Sequence, residues 1–350
     1  MRTALMAAIA LIGADLVLAG AWDGASPAGG SVFALAQAEP PRPPGTVVGY
    51  TDQRAEAPAF AESPWAQDYF REFREQDVEG VPYVQVRYRD RSGRFVNVEG
   101  NVRRSYTTGR GPIVWFFGGS TMFGEGQRDA HTIPSEIARL AESDGHPIQA
   151  VNFGVQADSN FQSVLRFEAA LASDRPRPDL VVFYDGANEV SQHVSQPATD
   201  QPQYYQGPGG PSSPDEDGSL FQAWWRTSLA GHVWERTTEV DPSALPAPAE
   251  VLVDQITTVY GRGIALARQL ASDAGVAFAS FFQPAALYDS YPWVEEVRAA
   301  LPTGTIDLAD ALDGPGRATY FDAVHTNEAG ARLVAEAMYP HLTTDIAGPS

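Results

Sequence analysis

From Pro112 onward the chain repeats one pattern: a short apolar run, a break of small residues, then a stretch of helical period. Ile113-Val114-Trp115-Phe116-Phe117 and Leu180-Val181-Val182-Phe183-Tyr184 carry no charged or amide side chain. Neither face of such a strand suits water, which marks a parallel strand covered on both sides rather than an antiparallel strand with one wet face. Ile148 to Phe153, Val276 to Phe282 and Thr305 to Leu308 read as three further strands. Between them, Ile133, Ile137 and Leu140 share a helical face that Asp144-Gly145 ends. Asn160 stands where a cap is wanted for a helix carrying Phe161, Val164 and Leu165. Ile256, Val259, Tyr260, Gly263, Ala267 and Leu270 mark a long helix closed by Gly275, and a last helix follows Thr326. Alternation of this kind predicts an α/β chain: a three-layer α/β/α sandwich around a central parallel sheet of about five strands.

The first third reads differently. Residues 1–38 hold Arg2, an apolar run from Ala4 to Ala21 broken by Asp15, and the small-x-small triplet Ala36-Gln37-Ala38. They are expected to be a signal peptide or N-terminal membrane anchor, which places the protein outside the cytoplasm, secreted or membrane-anchored. Residues 39–63, opening with Pro40-Pro41-Arg42-Pro43-Pro44, read as a stiff Pro-rich linker. Residues 64–110 read as an accessory β-containing segment. Tyr83 to Tyr88 alternates, Arg91-Ser92-Gly93 turns and Phe95 to Val98 alternates again, which predicts a small hairpin. The main domain is then 111–345, interrupted at 195–250 by a variable insertion or lid rich in Pro, Gly and Ser. Trp224, Trp225 and Trp234 within it either anchor the insertion or stack on sugar rings. His193 and His232, in or beside the insertion, read as solvated.

Composition removes several classes of function. With 24 Lys and Arg against 44 Asp and Glu, the net charge of −20 repels nucleic acid. The absence of cysteine excludes disulfides, a thiol nucleophile and thiolate metal sites. No set of His, Asp and Glu has metal-ligand spacing, so neither a metal nor another cofactor is expected.

Open parallel sheets bind ligands at the carboxyl ends of their strands. There the chain places Gly118-Gly119-Ser120-Thr121, Asn152-Phe153-Gly154 and Asp185-Gly186-Ala187-Asn188-Glu189, with Asp322-Ala323-Val324-His325 just before the final helix. A serine hydroxyl becomes a nucleophile when a neutral imidazole takes its proton, and the imidazole needs a partner on its other nitrogen. Ser120, His325 and Asp322 supply these three groups. The tetrahedral intermediate also needs donors for its oxyanion, for which the N–H of Ser120, the N–H of Gly154 and the side-chain amide of Asn188 are candidates. Gln283-Pro284, after the fourth strand, is equally readable as pocket lining or as an ordinary strand end. A phosphate-binding loop fails because no Lys follows the glycines, and an α/β-hydrolase elbow fails because Met122 stands where that motif needs glycine.

These segments resemble the conserved blocks of the SGNH (GDSL-like) hydrolases. Gly118-Gly119-Ser120 resembles block I, Gly154 the block II glycine, Gly186-Ala187-Asn188-Glu189 block III, and Asp322 with His325 block V, in family order across about residues 112–340. The resemblance implies a flavodoxin-like α/β/α fold and a serine esterase working through an acyl-enzyme. The expected substrate is a small-molecule or carbohydrate O-acyl ester, with acetyl preferred, on carbohydrate or lipid of the cell envelope. Gly119 and Glu189 depart from the family, which has aspartate at both places. Two other functions stay open: a polysaccharide O-acetyltransferase using the same triad, and a non-catalytic carbohydrate-binding protein of the envelope.

Overall fold

A computed structural model of the chain describes residues 52–81, 85–195 and 245–347. The segment at 1–38, the linker up to residue 51 and residues 196–244, with Trp224, Trp225, Trp234 and His232, lie outside the described residues. The described residues fall in one contact unit, Asp52–Pro211 with Leu245–Ser350, so residues 64–110 share a unit with the main domain.

Helix α1 (Ala66–Arg74) precedes an antiparallel ribbon of β1 (Val78–Val81) and β2 (Gln85–Tyr88). The short strands β3 (Val98–Glu99) and β4 (Val102–Arg103) form a hairpin whose two-residue loop, Gly100-Asn101, has φ of 58° and 63°. Two successive left-handed residues are what a tight hairpin with the natural strand twist requires. The hairpin expected between residues 83–88 and 95–98 is therefore corrected: β2 pairs with β1, and among the described residues Val98 bridges to Arg91 rather than to β2. The cause is competition for donors. The Glu72 carboxylate accepts the N–H groups of Arg94 (3.0 Å), Phe95 (2.9 Å) and Val96 (2.9 Å), and Asp129 accepts that of Asn97 (3.0 Å). Few of these N–H groups remain for a ladder.

The remainder follows the predicted alternation. In chain order it contains β5 (Ile113–Gly118), a one-turn helix α2 (Ser120–Phe123), α3 (Ile133–Ser143), β6 (Gln149–Asn152), α4 (Asn160–Leu171), β7 (Leu180–Asp185) and α5 (Ala187–Ser195). After these come α6 (Ala249–Ala274), β8 (Ala277–Phe282), α7 (Val294–Ala299), β9 (Thr305–Asp307), α8 (Glu328–Met338) and α9 (Thr343–Ala347). The sheet order is β3-β4-β6-β5-β7-β8-β9, with the last five parallel and β3 and β4 antiparallel at one edge. Numbered from β5, the parallel part runs 2-1-3-4-5, the flavodoxin-like order.

Because side chains alternate along a strand, each central strand serves two cores. Val114, Phe116, Val182 and Tyr184 pack with α3 and α8 on one face. Trp115, Phe117, Val181 and Phe183 pack with α4, α6 and α7 on the other. A third cluster joins Phe60, Tyr69, Phe70 and Phe73 to Phe123 of α2 and Phe321, so residues 60–73 pack against the turn that follows β5. Ser159, not Asn160, caps α4, in a reciprocal capping box with Gln162, while Asn160 is the first helical residue and gives its Nδ2 to the Tyr260 carbonyl (2.8 Å). Gly275 ends α6 in the left-handed region, φ 68°. Among the described residues no helix is long and apolar enough to cross a membrane.

Candidate active site

Strand β5 delivers Gly118 to the edge of the sheet, and the chain turns at once into α2, so Ser120 occupies the first position of a helix where no intrahelical acceptor exists for its N–H. Its Oγ lies 2.6 Å from Nε2 of His325. His325 sits on the loop entering α8, pinned by the Phe321 N–H to His325 carbonyl bond (3.0 Å) and by a ring stack on Phe321 (5.7 Å, 18°). Nδ1 of the same ring is 2.7 Å from Asp322 Oδ2. The other Asp322 oxygen accepts the N–H groups of Val324 (2.8 Å) and His325 (2.7 Å). One carboxylate thus closes its own turn and orients the imidazole.

The charges follow the geometry. Burial pushes the Asp322 carboxyl up, but the hydrogen bond and charge of His325 outweigh it and hold the group below the usual carboxylate range. Burial pushes the His325 imidazole down. The carboxylates of Glu125 and Asp322 outweigh that and the opposing Arg54, so the ring binds its proton more tightly than a free imidazole.

The candidate oxyanion donors fare unequally. Asn188, in the first turn of α5, gives one side-chain N–H to the Asp158 carbonyl (2.7 Å), and its side chain makes no other hydrogen bond among the described residues. Gly154 is a correction. Its N–H donates to Asn152 Oδ1 (2.9 Å), and a Cβ there would lie 2.3 Å from the Phe123 nitrogen. Its lack of a side chain lets the end of β6 pass beneath α2, which is a packing role. Three residues on, Ala157 has φ 64°, in a turn closed by the Asp158 N–H to the Val155 carbonyl (3.2 Å). Its carbonyl accepts from Gln192 (3.1 Å), whereas its N–H meets no acceptor among the described residues. A left-handed alanine costs about 1 kcal/mol or more, and sequence alone offers no sign of it.

Other candidates are placed as follows. Gln283 is buried and its Oε1 accepts from the Thr121 hydroxyl (3.3 Å), one residue past Ser120. Glu189 is buried under α5 and accepts the N–H groups of Gly186 (2.9 Å) and Asn160 (2.6 Å), tying the start of α5 to that of α4. Burial raises its pKa against those bonds, and burial with the Glu189 and Asp158 charges raises that of Asp185. His193, read as solvated, is in fact buried, its Nδ1 2.7 Å from the Glu189 carbonyl one helical turn earlier. Among the described residues no group of three or more His, Asp or Glu could hold a metal ion.

Besides Ala157, three site residues were not singled out in the sequence: Glu125, Arg54 and Gln156. Glu125 is buried beside His325, with Oε2 3.8 Å from Nε2. Arg54 donates to its Oε1 (2.7 Å) and Gln156 to its Oε2 (3.0 Å). Arg54 is itself held by Asp52 (3.0 Å) and lies over the Phe70 ring (4.5 Å). Arg54 reaches across 71 positions, a contact with no local sequence signature.

No family model matches the chain, and no curated protein does. Among solved structures it is similar to an acetyl xylan esterase, AlAXEase, at 16% identity over 66% of this chain and 99% of that one, TM-score 0.38. It is similar to a member of the lipolytic protein G-D-S-L family from Veillonella parvula at 13% identity, 66% and 98% coverage, TM-score 0.39. A psychrotrophic esterase, EstA, from Pseudoalteromonas sp. is similar at 10% identity, 68% and 100% coverage, TM-score 0.37.

Proposed function

We propose that the protein is a serine ester hydrolase of the SGNH type working through an acyl-enzyme. The observation that carries this reading is the continuous relay from Asp322 Oδ2 to His325 Nδ1 (2.7 Å) and from His325 Nε2 to Ser120 Oγ (2.6 Å). Ser120 Oγ attacks the acyl carbonyl as Nε2 takes its proton, and the imidazolium, held by Asp322, returns that proton to the departing alcohol. The oxyanion donors are the Ser120 N–H, the free side-chain N–H of Asn188 and, in place of Gly154, the unpartnered N–H of Ala157. A fluorophosphonate probe tests the assignment. Covalent labelling that maps to Ser120 in the folded protein is expected, and its absence overturns the reading.

The acyl group is proposed to be acetyl and the substrate an O-acylated carbohydrate or lipid of the cell envelope. Turnover across p-nitrophenyl esters of increasing chain length checks the first, with a steep fall beyond acetate expected. Export rests on the apolar run and on Ala36-Gln37-Ala38. The N-terminal mass of the protein recovered from outside the cytoplasm tests it, and a processed or membrane-retained N-terminus is expected.

A further inference from the structure

We propose that Glu125 selects water as the acyl acceptor by holding the second hydrogen of the attacking molecule, an inference that rests on the acyl-enzyme reading above. Once Ser120 is acylated, its Oγ no longer occupies Nε2 of His325, and that nitrogen is free to take a proton from the incoming nucleophile. Glu125 Oε2 stands 3.8 Å from Nε2. A water oxygen about 2.8 Å from both atoms sees them about 85° apart, within about 20° of its own H–O–H angle. Water can therefore donate one hydrogen to His325 and the other to Glu125 at once.

The carboxylate is built to stay there. Arg54 Nη1 holds Oε1 (2.7 Å), Gln156 Nε2 holds Oε2 (3.0 Å), and the Glu125 N–H donates to the Ser120 carbonyl (3.0 Å). Tyr88 in turn fixes Gln156 through its hydroxyl, which donates to Oε1 (2.8 Å). Tyr69 bridges the flanking glycines, donating to the Gly124 carbonyl (3.1 Å) and accepting from the Gly126 N–H (3.0 Å). Oε2 accepts one such bond and keeps a lone pair for a ligand.

Deacylation then balances in one step each way. The water oxygen bonds to the acyl carbon as its first proton passes to Nε2; the carbon–Oγ bond then breaks and the proton returns to Ser120. A simple alcohol has a single hydroxyl hydrogen, which Nε2 takes, leaving alkyl substance or an oxygen lone pair against the carboxylate. Glu125 thus favours hydrolysis over transfer to an acceptor with one hydroxyl group.

The test separates acylation from deacylation with p-nitrophenyl acetate, reading the pre-steady-state burst, the steady-state rate and the methanolysis-to-hydrolysis ratio in added methanol. Glu125→Ala and Glu125→Asp are compared with the parent; the aspartate keeps a charged partner for Arg54 if the alanine variant fails to fold. Both variants are expected to lower the steady-state rate at least tenfold, lower the burst rate less than threefold, and raise the methanolysis ratio at least tenfold. Equal loss of burst and steady state with an unchanged methanolysis ratio overturns the proposal. So does a Glu125→Asp variant that partitions like the parent, because charge alone then suffices. A parent protein with neither burst nor serine labelling fails at the esterase reading itself, a different result from either.

Discussion

Replacing Asp322 by asparagine is the sharpest perturbation of the relay, because the geometry dictates how the amide would sit. Asp322 Oδ1 accepts two backbone N–H groups, from Val324 (2.8 Å) and His325 (2.7 Å), and Oδ2 faces His325 Nδ1 at 2.7 Å. An asparagine has one acceptor oxygen, and the two backbone donors claim it. Its NH₂ group is then turned toward Nδ1, which must become an acceptor, so the proton of the neutral ring moves to Nε2. In that tautomer Nε2 cannot take the proton of Ser120. A wrong-tautomer substitution of this kind costs about 10⁴ in kcat in a well-buried triad. Here the Asp322 side chain is 41% exposed, and water that competes for the amide restores part of the productive tautomer. The loss is therefore expected nearer 10³, about 4 kcal/mol at 1.4 kcal/mol per decade. The assay is kcat/KM for p-nitrophenyl acetate at pH 8, with the melting temperature as a control for folding. Asp322→Ala, which admits water beside Nδ1, should lose less than Asp322→Asn. A variant Asp322→Asn retaining more than a tenth of parental kcat/KM refutes the tautomer argument.

Glu125 and Asp322 outweigh burial and Arg54 in setting the His325 pKa above its ordinary value, and the base works only when neutral. A pH profile of kcat/KM should therefore show its acidic limb above about 6.5, moving to lower pH in Glu125→Gln. The same raised pKa stabilises the fold at low pH, fully below the unfolded imidazole value, and that contribution disappears as pH rises through the folded value; urea unfolding at several pH values reads it. Ser120→Ala should reduce ester turnover and fluorophosphonate labelling to background while leaving the melting temperature within about 2 °C, because it removes one hydroxyl without creating a core cavity. Glu72→Ala removes the acceptor of three backbone N–H groups and should cost about 2–4 kcal/mol in denaturant unfolding. Gly119→Asp introduces the aspartate of the SGNH motif that this segment resembles, at a point where a Cβ would lie 2.4 Å from Asn188 Nδ2. Displacing Asn188, the proposed oxyanion donor, should lower kcat about 100-fold with little change in the melting temperature.

The parallel sheet was legible because burial on two faces leaves its mark on composition. A run such as Leu180 to Tyr184, apolar throughout and short, suits a parallel strand covered on both faces, and all five predicted strands are present. Strands β3 and β4 span two residues each, too few for any periodicity to appear. Their one sequence signal is the Gly100-Asn101 pair. The misread hairpin has the opposite cause. Residues 83–88 and 95–98 do alternate, but the N–H groups of 94–97 are satisfied by carboxylates 22 to 32 positions away. Pattern recognises a strand's faces and says nothing about competitors for its edge.

The site divides along the same line. Ser120, Asn188, Asp322 and His325 belong to short segments whose spacing carries their chemistry, and the fold brings Ser120, His325 and Asp322 into contact. What spacing could not separate was Gly154 from Ala157, because only backbone conformation shows which N–H is engaged and which is open. Gly119 and Glu189, which differ from the SGNH motif that these segments resemble, both bear on Asn188. With no Cβ at Gly119, Asn188 can close on the Asp158 carbonyl (2.7 Å). The longer Glu189 reaches both the Gly186 and the Asn160 N–H groups, fixing the helix that carries Asn188 to its neighbour. Gly119 leaves space beside Asn188, and Glu189 anchors its helix. Both therefore act on the placement of Asn188, and the Gly119→Asp and Glu189→Asp changes in kcat/KM should not simply add when combined; additive effects would refute the coupling.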